Sequence, residues 1–326
     1  MRLFIRTEAS NAVGMGHFMR CFAIAEEARG QGIDVTFLMS EPAAAVDDRV
    51  GRIGAFVKVM NAPVGADLAA MQAFDLRQSD ALLIDSYKVD VNYISALNKL
   101  ACVAIMDDLN ALGRYDCALI VNPALAADAA LYRQKSQARL LLGADYALIR
   151  REFTQILPST DEPFVAILFG GSDPNRLAGR TAQMLNDALA GVTVKVIAGP
   201  AHVHTDELRT LEQARSAIKL FIDPPSVAEV LSGASLVITA AGGSVGEMAA
   251  MGLPALALVV YDNQAAALEQ CPYPVIDIRD GLPDDLGWKA KALYDNPDVR
   301  VEIARSAHAL VDGKGAARVL EAMKHV

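Results

Sequence analysis

The stretch GMGHFMRC, Gly14 to Cys21, places a histidine directly after a glycine pair, where a helix is due to begin. Gly14 and Gly16 allow backbone angles closed to other residues and let a ligand approach the main chain. A helix N-terminus disfavours a charged imidazolium, so His17 there would be a neutral ring able to accept a proton. His17 is therefore a candidate general base; the competing reading is a ring hydrogen-bonded to a nearby carbonyl. Asp85 and Tyr87, in LLIDSY, close a later apolar run. They could orient His17 or hold a sugar hydroxyl, although a strand also ends in Asp simply to begin a turn. Asp107 and Asp108 follow CVAIM in the same way. Adjacent strand residues face opposite sides, which argues against a metal shared between them.

The second half carries two glycine-rich turns of the phosphate-cradling kind. In FGGSDPN, residues 169–175, backbone N–H groups at Gly170 and Gly171 together with the Ser172 hydroxyl suit a diphosphate; a plain left-handed turn with an N-cap is the alternative. In TAAGGSVGEMAAMGLP, residues 239–254, two glycines precede Ser244, the expected N-cap, and Glu247 follows three residues later. Glu247 could complete a capping box or accept both hydroxyls of a ribose. Asn263 and Gln264, in YDNQ, would reach the diphosphate or sugar from the next strand end. Three polar strand ends in one sheet describe a nucleotide pocket. The glycines of the first half lack a third glycine, since Met19 stands there, and VTFLMS ends without an acid, which argues against a nicotinamide cofactor.

These residues need a scaffold, and the hydrophobic pattern supplies one. RLFIRT, VTFLMS, ALLIDSY, CVAIMDD and CALIVN read as buried strands, with a helix from His17 to about Arg29. The rhythm breaks at RREFTQILPSTDEP, then restarts with FVAILFG, TVKVIAG, KLFID, LVITA and PALALVVY, with helices between. One last helix is expected over about 298–324. Alternating strands and helices predict parallel, doubly wound sheets. The expected fold class is α/β, with two Rossmann-like domains, 1–155 and 156–326, facing a cleft along their strand C-terminal edges.

The chain of 326 residues is 53% hydrophobic, enough to build two cores. Its net charge of −9, with −2 through Arg150 and −7 beyond, argues against nucleic acid as a ligand and leaves any phosphate in the second half to backbone and helix dipoles. No apolar run approaches a membrane span, and MRLFIRTEAS is not signal-like, so a cytoplasmic protein without membrane insertion is expected. Cys21, Cys102, Cys117 and Cys271 form no CxxC pair and read as buried thiols; His202, His204, His308 and His325 read as surface residues.

With these motifs in place, a resemblance emerges. GGSD (Gly170–Asp173), AAGGSVGE (Ala240–Glu247) followed by AAMGLP, and DNQ resemble the nucleotide half of the GT-B glycosyltransferases, particularly the UDP-N-acetylglucosamine transferases of peptidoglycan synthesis. RTEASNAVGMGHFMRC, IMDDL, LLGADYALIRREF and FGGSDPN resemble the hydrolases that split UDP from UDP-2,4-diacetamido-2,4,6-trideoxy-β-L-altropyranose in pseudaminic acid biosynthesis, a route to flagellin glycosylation. The resemblance implies an inverting, metal-independent hydrolase of a UDP-sugar with no cofactor, in which His17 activates water and the family's strand-end tyrosine falls on Tyr87; Asp85, from its own place at the strand end, is the third catalytic candidate. It implies UDP contacts from Gly170, Gly171, Ser172, Asp173, Ala241, Gly242, Gly243, Ser244, Asn263 and Gln264, ribose on Glu247, and uracil beside Phe221 and Ile222. Glu8 and Gly246 depart from the family pattern, where Asp and, in some members, Asn are expected.

Overall fold

The computed structural model describes residues 1–9, 15–124, 127–155 and 162–325. The chain divides into two compact units, Met1–Arg151 with Gly313–Val326, and Glu152–Asp312. In the first unit, strands β1 (Leu3–Arg6), β2 (Val35–Met39), β3 (Phe56–Val59), β4 (Ala81–Asp85), β5 (Cys102–Met106), β6 (Leu119–Asn122) and β7 (Arg139–Leu142) form a sheet in the order β3-β2-β1-β4-β5-β6-β7. In the second, β8 (Phe164–Leu168), β9 (Thr193–Ala198), β10 (Ile218–Ile222), β11 (Leu236–Ala240), β12 (Ala255–Val259) and β13 (Val275–Asp277) form one in the order β10-β9-β8-β11-β12-β13. Every pairing in both sheets is parallel.

Central strands covered on both faces have to be apolar along most of their length, which is why β8 and β12 read as unbroken apolar runs and β1 and β4 as apolar runs closed by one buried charge, Arg6 and Asp85. The strands that the pattern does not announce, β3, β7 and β13, are all sheet edges. On β3, Phe56 is 67% exposed, so one-sided burial removes the signal that marks the interior strands.

Five helices matter below: α1 (Gly16–Gly30), α2 (Leu177–Ala188), α3 (Gly243–Ala250), α4 (Pro297–His308) and α5 (Gly315–Lys324). Helix α1 buries Phe18, Cys21, Phe22, Ile24, Ala25 and Ala28 against Leu3, Ile5, Phe37 and Leu83. The expected single C-terminal helix is two, α4 and α5, broken where Gly313 turns left-handed at φ 73°. The expected second domain running to residue 326 is corrected as well. Helix α5 places Ala316, Val319, Leu320 and Met323 in the first core, because its apolar stripe finds its partner in α1.

Of the four cysteines, all free, Cys21 and Cys117 are buried, whereas Cys102 and Cys271 are only half-buried. No helix among the described residues is long and apolar enough to cross a membrane.

Candidate functional site

In the first unit the strand order reverses between β1 and β4, which pair directly up to Arg6 and Ile84. Helix α1 begins at Gly16 with, among the described residues, no side-chain cap on its N-terminus and no acid in its first turn. His17 lies in that first turn. Its Nδ1 is 2.6 Å from Oδ1 of Asp85, which ends β4 and is 1% exposed. One turn further along α1, Arg20 grips the same carboxylate with two bonds, Nε to Oδ2 and Nη2 to Oδ1, each 2.6 Å. Arg20 Nη1 also donates to Asp108 Oδ2 at 2.7 Å. Asp108 in turn accepts the Tyr87 hydroxyl at 2.7 Å. The Tyr87 ring packs edge-on against His17, centroids 4.8 Å apart, which closes the circuit.

The electrostatics of this circuit assign the protons. Burial opposes ionisation of Asp85, but the Arg20 charge and the bonds from Arg20 and His17 outweigh it and hold the carboxyl at about 2. An ionised Asp85 can only accept, so His17 Nδ1 carries a proton and, in the neutral ring, the lone pair lies on Nε2. Burial, followed by the Asp108 charge, pushes the Tyr87 hydroxyl up to about 12, which keeps it a neutral donor. The Cys21 thiol, 3.4 Å from Asp85 Oδ2, is pushed up by burial and by that carboxylate, and stays protonated.

Sequence reasoning passes over Arg20. The available signal is its spacing from His17, three residues, which puts both on one helix face. Asp107 and Asp108 do diverge. Asp107 accepts the Tyr115 hydroxyl and the Leu109 and Asn110 amides, and so builds a turn. Among the described residues no group of three or more His, Cys, Asp or Glu is placed to hold a metal ion. Gly14 lies outside the described residues. Gly16 corrects its expectation: as the first residue of α1 it has no positive φ, and a Cβ there would meet nothing within 4 Å. Glu8 is structural, accepting Arg6 Nη1 at 2.8 Å and Ser40 Oγ at 2.9 Å.

In the second unit the order reverses between β8 and β11, and the two glycine turns follow these neighbouring strands. After β8, Gly170 is left-handed at φ 74° and Asp173 at φ 40°. Helix α2 starts at Leu177, and Asp173 caps it by accepting the Leu177 and Ala178 amides at 2.9 and 2.8 Å. Asp173 therefore has its oxygens engaged by the helix, whereas Gly170 is exposed and Gly171 and Ser172 are half-buried. Gly199, after β9, lies so close beneath that a Cβ on it would stand 2.5 Å from Gly171 Cα.

After β11, the buried Ala241 donates its amide to Leu258 at 2.7 Å, and Gly242 and Gly243 are exposed. Ser244 is not the N-cap. Gly242 holds that position, no side chain caps α3, and the capping box with Glu247 does not form because both residues lie inside the helix. Glu247 is half-buried one turn in. Gln264 Oε1 accepts the Val260 amide at 2.8 Å, and its Nε2 would stand 3.4 Å from a Cβ on Gly242. The DNQ turn and the second glycine turn thus meet through Gln264, while Asn263 is exposed. Phe221 and Ile222 are half-buried at the end of the edge strand β10.

The histidines divide differently from expectation. His308 and His325 are exposed and His204 is half-buried, but His202 is 8% exposed, because its amide turns back to the Gly199 carbonyl and carries the ring inward.

No family model matches this sequence. The UDP-2,4-diacetamido-2,4,6-trideoxy-beta-L-altropyranose hydrolase of Campylobacter jejuni is 22% identical over 257 residues, covering 76% of this chain and 87% of that protein. Protein MJ1062 of Methanocaldococcus jannaschii is 22% identical over 278 residues, covering 81% of this chain but 56% of that protein, so the chain spans just over half of that relative. Among solved structures, MurG of Acinetobacter baumannii superposes with a TM-score of 0.65 at 14% identity, covering 100% of both chains. HepE of Anabaena, in complex with UDP-glucose, superposes at 0.64 and 12% identity, again covering 100% of both.

The chain has a GT-B-like fold. Both halves of a GT-B-like chain are Rossmann-like, and both candidate clusters here lie where the strand order of their own sheet reverses. In sequence the chain resembles the C. jejuni hydrolase; in structure it resembles the GT-B glycosyltransferases more distantly.

Proposed function

We propose that this GT-B-like protein hydrolyses a UDP-sugar, the substrate being UDP-2,4-diacetamido-2,4,6-trideoxy-β-L-altropyranose or a close analogue. The observation that carries the reading is the His17–Asp85 bond, which leaves an imidazole lone pair on Nε2 in the first turn of α1, a turn that no side chain caps among the described residues. In this reading water attacks the anomeric carbon and His17 Nε2 takes its proton as the C–O bond to UDP breaks. The bonding pair leaves with the diphosphate, and the configuration inverts. Asp85 and Arg20 position the ring, and Tyr87 braces it. UDP is held by backbone N–H groups of the Gly170–Ser172 and Gly242–Ser244 turns, with the ribose on Glu247 and the uracil by Phe221 and Ile222. The chemistry needs no metal or cofactor, because one placed base and captured diphosphate charge suffice. The likeness to the C. jejuni protein supports the hydrolase reading; the motif resemblance adds a place in pseudaminic acid synthesis, in the cytoplasm, as part of the same proposal.

A second reading has its own support: the GT-B structures it resembles include glycosyltransferases, among them one described as an O-GlcNAc transferase in complex with UDP and GlcNAc. A transferase would use the same base on an acceptor hydroxyl. The deciding experiment incubates the protein with UDP-diacetamido sugars and no acceptor, following UDP and the anomeric configuration of the product by NMR. Stoichiometric release of inverted free sugar supports hydrolysis; release only on adding an acceptor establishes transfer instead.

A further inference from the structure

His202 is the buried histidine that the proposed reaction leaves unused. It follows β9 in a turn closed by its own amide on the Gly199 carbonyl at 3.1 Å. Its Nδ1 accepts the His204 amide at 3.2 Å, so the proton of the neutral ring sits on Nε2. That Nε2 is fully buried and has no hydrogen-bond partner among the described residues. The group it faces is Asp173, whose Oδ2 lies 3.5 Å away, just beyond a good bond. Both side chains are only 2% exposed.

Asp173 is the far anchor of the first glycine turn. It holds a left-handed backbone at φ 40° and caps α2 with both oxygens, and two residues earlier Gly171 rests on Gly199. The turn is therefore gripped at two points by the segment 199–202: backbone on backbone at Gly199, and a donor aimed at a carboxylate at His202. A buried donor left just short of its acceptor is unfavourable, and a small movement of the turn toward His202 removes the fault.

We propose that His202 is a positioning residue for the diphosphate turn: its Nε2–H closes on Asp173 when UDP occupies Gly170–Ser172, and so sets the affinity for the nucleotide without touching it. The inference rests on the UDP-binding reading given above.

The test uses the full chain with UDP as the probe. Calorimetry and steady-state rates compare wild type with His202→Phe, which keeps the bulk and loses the donor, and with His202→Gln, whose amide restores one. The expected result is about tenfold weaker UDP binding and a tenfold higher KM for His202→Phe, kcat within twofold, and recovery to within threefold in His202→Gln. Equal affinity in wild type and His202→Phe, or equal loss in both variants, overturns the proposal. Should His202→Phe not fold, 15N-histidine NMR of the wild type decides. An Nε2–H tautomer whose proton moves downfield on adding UDP supports the proposal, and an Nδ1–H tautomer or an unmoved resonance overturns it. Wild-type protein that binds no UDP defeats the functional reading itself and is seen before any variant is compared.

Discussion

Asp85 Oδ1 and His17 Nδ1 stand 2.6 Å apart although 68 residues separate them, because β4 lies directly beside β1, from which α1 departs. Within that pair the carboxylate is buried and doubly held by Arg20, so it cannot leave the ring without abandoning an ion pair. The pair therefore imposes one tautomer and one orientation on the imidazole. If His17 is the base, His17→Ala keeps UDP affinity within about threefold and loses turnover by about 10²- to 10⁴-fold. Calorimetry and a coupled assay of UDP release check both halves; near-normal turnover rejects the mechanism.

Asp85→Asn keeps the shape but offers an amide that can hold the wrong tautomer. Turnover should fall by about 10²- to 10⁴-fold with little change in KM. Both parameters come from one steady-state series.

The depressed Asp85 carboxyl makes a prediction about pH. Its folded value of about 2 lies below the usual carboxylate value of about 3.9, so its stabilisation is complete above the unfolded value and is lost as pH falls from there through about 2. The size is on the order of 2 kcal/mol. Wild type should lose more stability than Asp85→Asn between pH 4 and 2, measured by urea unfolding. Neither Asp85 nor Tyr87, at about 12, should appear in a rate profile taken between pH 5 and 9.

Arg20 joins Asp85 to Asp108 through a planar fork, and an ammonium cannot span the same four bonds. Arg20→Lys should lower kcat about tenfold. Arg20→Met, which strands a buried carboxylate, should cost about 3–5 kcal/mol by denaturant unfolding. A Met variant as stable as wild type denies the circuit its role.

Gly199→Ala puts a methyl where Gly171 already stands, 2.5 Å from its Cα, and backbone cannot rotate away as a side chain can. The expected cost is about 1–3 kcal/mol of stability, together with weaker UDP binding as the turn is displaced. Thermal unfolding and UDP titration measure these separately.

Reading the chain without coordinates recovers the interior strands, since a buried parallel strand has to be apolar along most of its length. It also finds the two glycine-rich turns that follow β8 and β11, since paired glycines after an apolar run mark a turn. His17 and Asp85 are each legible as chemistry-bearing residues at the end of an element. What the linear pattern cannot express is which ends meet. Strand order is set by how helices cover the two faces of a sheet, so the meeting of His17 with Asp85 and Arg20 belongs to the tertiary structure alone.

The same holds for the corrections. Ser244 and Glu247 have capping-box spacing, but the backbone enters α3 two residues earlier, and the spacing then falls inside the helix. His202 looks like any polar loop residue until the turn after β9 folds its ring beneath the loop that holds Asp173. Helix α5 carries an apolar stripe that any core could accept, and only the packing of α1 decides that it returns to the first unit. Composition and periodicity determined which residues must be buried and where glycine-rich turns follow the strands. Three-dimensional packing decided which carboxylate each cation and imidazole faces, because those bonds are short-ranged and their partners lie far apart along the chain.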